Sequence, residues 1–204
     1  MKYTLKYTIL DDAKTRAIAT STDAAPIVIT ASAAHGLDTG DIVSIFGHTT
    51  NTNANGVWTI TKVTATTFSL DDSVKLSGGA GADGTYTSAA PKNIFCEDAT
   101  TIQFSFVTDG GGDCAVTIKA AISNSEDCPD FAKAQSATNQ YDYVDIVDLE
   151  DNTSIDGDTG LTLAGADDSR NFEVNTNNAR WFTITPTAGT EGEITIKATL
   201  TCES

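Results

Sequence analysis

The sequence predicts an all-β protein, a small β-barrel inserted before or beside an immunoglobulin-like or jelly-roll β-sandwich. Three observations predict it. Alanine, threonine, glycine, asparagine and aspartate are plentiful while long helix formers are scarce, with 12 Lys and Arg together and one Met; threonine and valine suit a pleated sheet, and Gly, Asn and Asp suit the turns between strands. Apolar residues recur at every second position in short runs. Turn-forming clusters separate those runs, so strands follow one another closely along the chain.

The elements follow in order. Residues 1–24 read as an N-terminal strand or arm, in which Tyr3, Leu5, Tyr7 and Ile9 share one side and are the candidate interaction residues. This opening has no apolar h-region with a small-residue cleavage site, so no signal peptide is expected. Residues 25–76 form the small barrel. Val28 and Thr30 alternate with Ile27, Ile29 and Ala31; Thr39-Gly40-Asp41 turns the chain into Ile42–Phe46; Asn55-Gly56 signals a hairpin before Val57–Val63; and Thr67–Leu70 closes the unit. Residues 77–92 are glycine-rich and read as a linker. Residues 93–204 make the sandwich, with alternation at Ile102–Phe106, Val116–Ile118, Tyr141–Val147, Leu161–Leu163, Asn171–Val174, Arg180–Ile184 and Ile194–Leu200. Gly110-Gly111-Gly112 reads as a hairpin tip between two of these strands.

Charge is uneven. Of a net −16, residues 1–92 carry 7 basic and 8 acidic side chains, and residues 93–204 carry 5 basic and 20 acidic. An acidic half repels phosphate, so direct nucleic-acid binding is not expected. It is expected to be a solvated face that keeps the protein soluble at high local density. No stretch approaches the roughly 20 apolar residues of a membrane helix, and no membrane partner is expected.

Residues able to carry chemistry are few and scattered. His35 and His48 lie in the barrel segment, and each is expected to serve the loop around it. The densest acidic run offers Asp148, Glu150, Asp151, Asp156 and Asp158 as candidate calcium ligands. Calcium needs six to eight oxygens at about 2.3–2.6 Å, but this spacing is not that of an EF-hand loop. A metal-free surface loop is therefore the expected reading, and no cofactor is predicted. Cys96, Cys114, Cys128 and Cys202 lack C-x-x-C spacing. Free thiols are the default, although a staple between Cys96 and Cys202 would suit the first and last strands of the second half. No nucleophile elbow, H-E-x-x-H or phosphate loop is present, so catalysis is not expected. Trp58 and Trp181 fall within strand patterns, where core packing competes with a sugar-stacking role.

Within residues 27–70, the segments I-V-I-T-A-S-A-A-H-G-L-D-T-G-D-I-V-S-I-F-G and N-G-V-W-T-I-T-K-V-T-A-T-T-F-S-L carry a specific pattern. It resembles the small β-barrel of the first catalytic cysteine half-domain of ubiquitin-activating enzymes, at His35, Gly36, Gly40, Asp41, Gly56 and Phe68. Such modules recur in tailed-bacteriophage virion proteins, where they are structural, and no catalytic residue transfers with them. The opening M-K-Y-T-L-K-Y-T-I-L and the closing R-W-F-T-I-T-P-T-A-G-T-E-G-E-I-T-I-K-A-T-L resemble small sandwich proteins encoded among phage virion genes. The resemblance implies a virion structural protein assembled in the host bacterial cytoplasm. Its partners would be other copies of itself and capsid or tail proteins, in a closed symmetric oligomer. Head decoration is the leading expectation. A tail, neck or fibre location is the rival, and a glycan-binding adhesin module using Trp58, Trp181 or metal near Asp151 is the alternative from another class.

Overall fold

A computed structural model describes residues 2–75, 79–97, 99–109, 115–131, 135–164, 168–189 and 192–203. The chain is all-β, and among the described residues the one helical element is a single 3-10 turn at Thr52–Ala54. Every strand pairing is antiparallel.

The architecture follows from one long strand, β1 (Lys2–Ser21), which serves two cores in turn. Its C-terminal part joins β2 (Val28–Ala31), β3 (Ile42–Phe46), β4 (Gly56–Lys62), β5 (Thr67–Leu70) and β6 (Thr85–Thr87). The order β1-β2-β5-β4-β3-β6 returns to β1 through β6, closing a six-stranded barrel. Ile27, Ile29, Val43, Ile45, Ile60, Phe68, Leu70 and Tyr86 fill it. Phe68 sits edge-on to His35 and Tyr86, with ring centroids 5.3 and 5.2 Å away.

The remaining strands are β7 (Ile94–Phe95), β8 (Ala99–Asp109), β9 (Ala115–Ser123), β10 (Asp142–Val144), β11 (Ile146–Asp148), β12 (Ser154–Ile155), β13 (Leu161–Ala164), β14 (Asp168–Asn175), β15 (Trp181–Gly189) and β16 (Gly192–Glu203). They build a sandwich. One sheet runs β12-β11-β14-β8-β16-β1; the other runs β10-β9-β15-β7, with β13 also on β9. Phe104, Phe106, Phe172, Ile196 and Leu200 from the first face Ile118, Leu161, Phe182 and Ile184 from the second in one continuous core. The alternation read from the sequence is what the two facing sheets require, with one apolar side each.

Three expectations change at this level. The 77–92 segment is built into the barrel: Thr85–Thr87 is its sixth strand, and Tyr86 is fully buried. The glycine content hides this, because a three-residue strand between turns leaves almost no periodic signal. Within residues 1–24, β1 is paired to β16 from Lys2 to Thr15. The β8–β9 connection is not a hairpin, because the two strands lie in different sheets; Gly110-Gly111-Gly112 themselves lie outside the described residues. In the barrel, Asn55-Gly56 ends a longer β3–β4 connection, and the tight hairpin is instead β4–β5, where Lys62 faces Phe68.

Candidate functional site

One group of side chains has the geometry of chemistry. Ser21 ends β1, His48 and Asn51 lie in the β3–β4 connection, and Asp83 precedes β6. His48 Nε2 is 2.8 Å from Ser21 Oγ, and its Nδ1 is 2.5 Å from Asp83 Oδ1. This is the Ser–His–Asp order of a hydrolase. It is sealed, however: Ser21 is 2% and His48 1% exposed. Asn51 Nδ2 and the Gly81 amide both donate to Ser21 Oγ, at 3.2 and 3.3 Å. The Asn51 backbone amide in turn donates to His48 Nδ1 at 3.2 Å, so groups of the surrounding loops engage both the hydroxyl and the ring. Any Cβ at position 81 would collide with the His48 ring, so the glycine backbone fills the space a substrate would need. The group thus fastens the end of β1 to two loops. Burial pushes the His48 imidazole below its ordinary value, opposed by the Asp83 charge. The Thr49 hydroxyl holds the Asp83 carboxyl low, chiefly by donating to it.

His35 is likewise committed to its loop. Nδ1 accepts the Leu37 amide at 3.0 Å and Nε2 donates to the Thr64 carbonyl at 3.0 Å.

Asp148, Asp151 and Asp156 of the acidic run serve its own turns. Asp148 is buried, meets Arg170 at 2.9 Å and accepts the Glu150 amide. Glu150 lies 3.6 Å from the same guanidinium. Asp151 accepts the Thr153 amide, and its carboxyl is held low chiefly by the Thr153 side-chain hydrogen bond and then by that amide. Asp156 caps the Thr159 amide, while the Asp158 backbone carbonyl takes the Lys119 ammonium. No three His, Cys, Asp or Glu side chains converge on a metal position among the described residues. Cys96, Cys128 and Cys202 are free thiols, and burial together with the nearby Cys202 pushes Cys96 up to about 12. Cys114 lies outside the described residues. The Cys96–Cys202 staple is therefore absent from this structure.

The two tryptophans are anchored by their ring N–H groups. Trp58 donates to the Ala54 carbonyl and Trp181 to the Ser125 carbonyl. Trp58 packs on the barrel core, and Trp181 stacks edge-on with Phe95.

The predicted interaction face of β1 divides. Ile9 is 3% exposed in the sandwich core, and Tyr7 is half-buried against that core, 5.4 Å below the Lys92 ammonium. Register shifts after Thr8 break the alternation, so Ile9 and Leu10 are both buried. Leu5 is 39% exposed. For Tyr3, only the backbone register opposite Cys202 is described. More telling is what lies beside them. β16 covers one edge of Lys2–Thr8, and among the described residues no strand covers the other.

Behind this edge, the outer surface of the same sheet is concave. A trough of about 710 Å³ runs over β1, β16, β8 and β14 and is walled by Leu149. Sequence reading missed it, because its residues are the polar members of each alternating strand and read individually as ordinary surface.

No family model and no curated protein matches this chain. Among solved structures, the crystal structure of "PBSX exported protein XepA" is similar at 8% identity and a TM-score of 0.37, covering 98% of this chain and 81% of that one. At that score the similarity carries no argument about function.

Proposed function

We propose that this chain is a structural protein of a tailed-phage virion that decorates the head and works through assembly rather than catalysis. The observation that carries the reading is the uncovered edge of β1 from Lys2 to Thr8. Unpaired N–H and C=O groups in a row are a template for another strand. Proteins blunt such edges with charge, proline or bulges; here Lys2 and Lys6 supply charge, but the bulges begin only after Thr8 and Leu5 is left exposed. A neighbouring copy or a shell protein that adds a strand gains main-chain hydrogen bonds with few demands on its sequence. A symmetric lattice then multiplies a weak contact. The acidic second half, with 20 acidic against 5 basic side chains, faces solvent and keeps particles apart. The resemblance of residues 27–70 to barrels found in virion proteins supports the same class.

The edge also dictates which test is informative. Removing residues 1–10 would strip Ile9 and Leu10 from the core and unfold the sandwich. Leu5→Asp is the better probe, because it charges the edge at an exposed residue outside the buried core, at the margin where Leu5 pairs with Leu200. Purified particles are imaged after labelling with an antibody against the chain, and the variant is tested for particle binding. Label over the whole head, with binding lost in Leu5→Asp, is the expected result. Label confined to tail or neck moves the protein to that position, and no label on any particle ends the virion reading.

A further inference from the structure

The trough on the outer face is ordered more regularly than a surface patch needs to be. Strand register places its residues in two cross-strand rows. Lys6 faces Thr199, which faces Gln103. One step along, Thr8 faces Lys197, which faces Ser105, which faces Asn171. Each is the outward member of its strand, with Phe104, Ala198 and Phe172 buried between them. Four strands at about 4.8 Å spacing make this floor roughly 14 Å wide.

Lys6 and Lys197 are diagonal neighbours on adjacent strands, a separation of about 7–8 Å. They place two like charges on neighbouring positions of the same face. The compensation is slight: Asp11 lies 3.9 Å from Lys197, with both side chains more than half exposed. Glu173, at the far side, is engaged by the Gln103 amide at 3.1 Å. Hydroxyls and amides make up most of the rest of the floor. A protein partner would look for aromatic anchors at the centre of its contact, and here the aromatic residues of the lining, Tyr7 and Phe104, are turned into the sandwich core, which leaves Leu149 on the wall as the exposed apolar side chain.

From this arrangement we propose that the trough binds an acidic polysaccharide, with Lys6 and Lys197 taking its carboxylates and Thr8, Thr199, Ser105 and Asn171 its hydroxyls. The volume lies within the roughly 300–1,000 Å³ of ligand sites. The net negative charge of the chain does not forbid this, because at physiological ionic strength charges beyond about 8 Å are largely screened. The proposal concerns a face rather than an edge, so it holds whether or not β1 pairs with a neighbour.

Affinity electrophoresis of the full chain tests it, with polygalacturonate, neutral dextran or poly-glutamate in the gel. Retardation by polygalacturonate alone, weakening with added salt, is expected. The Lys6→Thr/Lys197→Thr variant should bind at least about tenfold more weakly, since it removes both charge-assisted bonds to the carboxylates. Its thermal unfolding should be unchanged, because both side chains point outward. Asn171→Ala, which keeps both charges, should weaken binding as well and guards against a folding defect in the double variant. No retardation by polygalacturonate overturns the proposal. Equal retardation by poly-glutamate overturns the saccharide class, equal retardation by dextran overturns the role of charge, and unaltered binding by the double variant places any glycan site elsewhere.

Discussion

Phe68→Ala asks whether the barrel and the sandwich stand or fall together. Phe68 is fully buried at the centre of the barrel core, edge-on to both His35 and Tyr86. Truncating a buried Phe costs about 3–5 kcal/mol, combining lost transfer energy with the cavity left behind. Domains of this kind are stable by only about 5–15 kcal/mol in total. At a urea slope near 2 kcal/mol per molar, a loss of about 4 kcal/mol moves a midpoint by roughly 2 M. The two cores share no residue. If the barrel opens, β1 still keeps its β16 pairing from Lys2 to Thr15 and surrenders only Arg16–Ser21. The barrel should therefore unfold first. Trp58 reports on the barrel and Trp181 on the sandwich, so Trp58→Phe and Trp181→Phe backgrounds give one reporter each. Urea titrations followed by fluorescence should show the Trp58 midpoint falling by roughly 2 M while the Trp181 midpoint moves far less. Equal shifts at both reporters would refute the reasoning and make β1 a rigid coupler of one cooperative unit.

Three further outcomes follow from the polar groups. Because burial holds the His48 imidazole below its ordinary 6.5, the unfolded chain binds a proton there more readily than the folded one; stability is intact above that pH and erodes as pH falls below it. Melting temperature against pH should therefore fall more steeply in the wild type than in His48→Asn below about pH 6.5, and parallel curves would count against this. Asp83, also held low, adds its own loss only as pH drops beneath the ordinary carboxylate range of 3.8. Arg170→Ala leaves the buried Asp148 carboxylate with the Glu150 amide as its remaining donor and should cost about 1–3 kcal/mol in urea unfolding, most of it recovered by adding Asp148→Asn. Ser21→Ala should lower stability by about 1–3 kcal/mol yet leave p-nitrophenyl acetate hydrolysis unchanged, since Ser21 is sealed; a Ser21-dependent rate would reopen the question of catalysis.

Period-two patterning made the long strands legible, because β8, β14 and β16 each bury one side and wet the other. The same rule was blind to β6, whose three residues are all buried. It gave no sign that Leu10 is buried beside Ile9, because the bulge after Thr8 shifts the phase of side chains without leaving a mark in the sequence. The Ser21–His48–Asp83 group was invisible for a different reason. Its members lie 27 and 35 residues apart on three segments, and only closure of the barrel brings them together. The trough was hidden by its own ordinariness: Lys6, Gln103 and Lys197 are normal outward residues one by one, and only strand register sets them side by side.

The open edge has a topological cause. Between Thr15 and Ile18, β1 exchanges β16 for β2 on one side and is joined by β6 on the other. From β6 the chain runs back along β1, bonding Lys14 through Ser88 and Ile9 through Lys92, and then crosses to the opposite sheet as β7. Up to that crossing, the return segment shields the β1 edge. Beyond it, toward Lys2, the segment has left for the other layer, and among the described residues no strand covers the edge. The barrel is thus more than an appendage beside the sandwich. Where its last strand releases the chain determines how many residues of β1 are offered to a neighbour, which ties the insertion to the assembly role proposed for the edge.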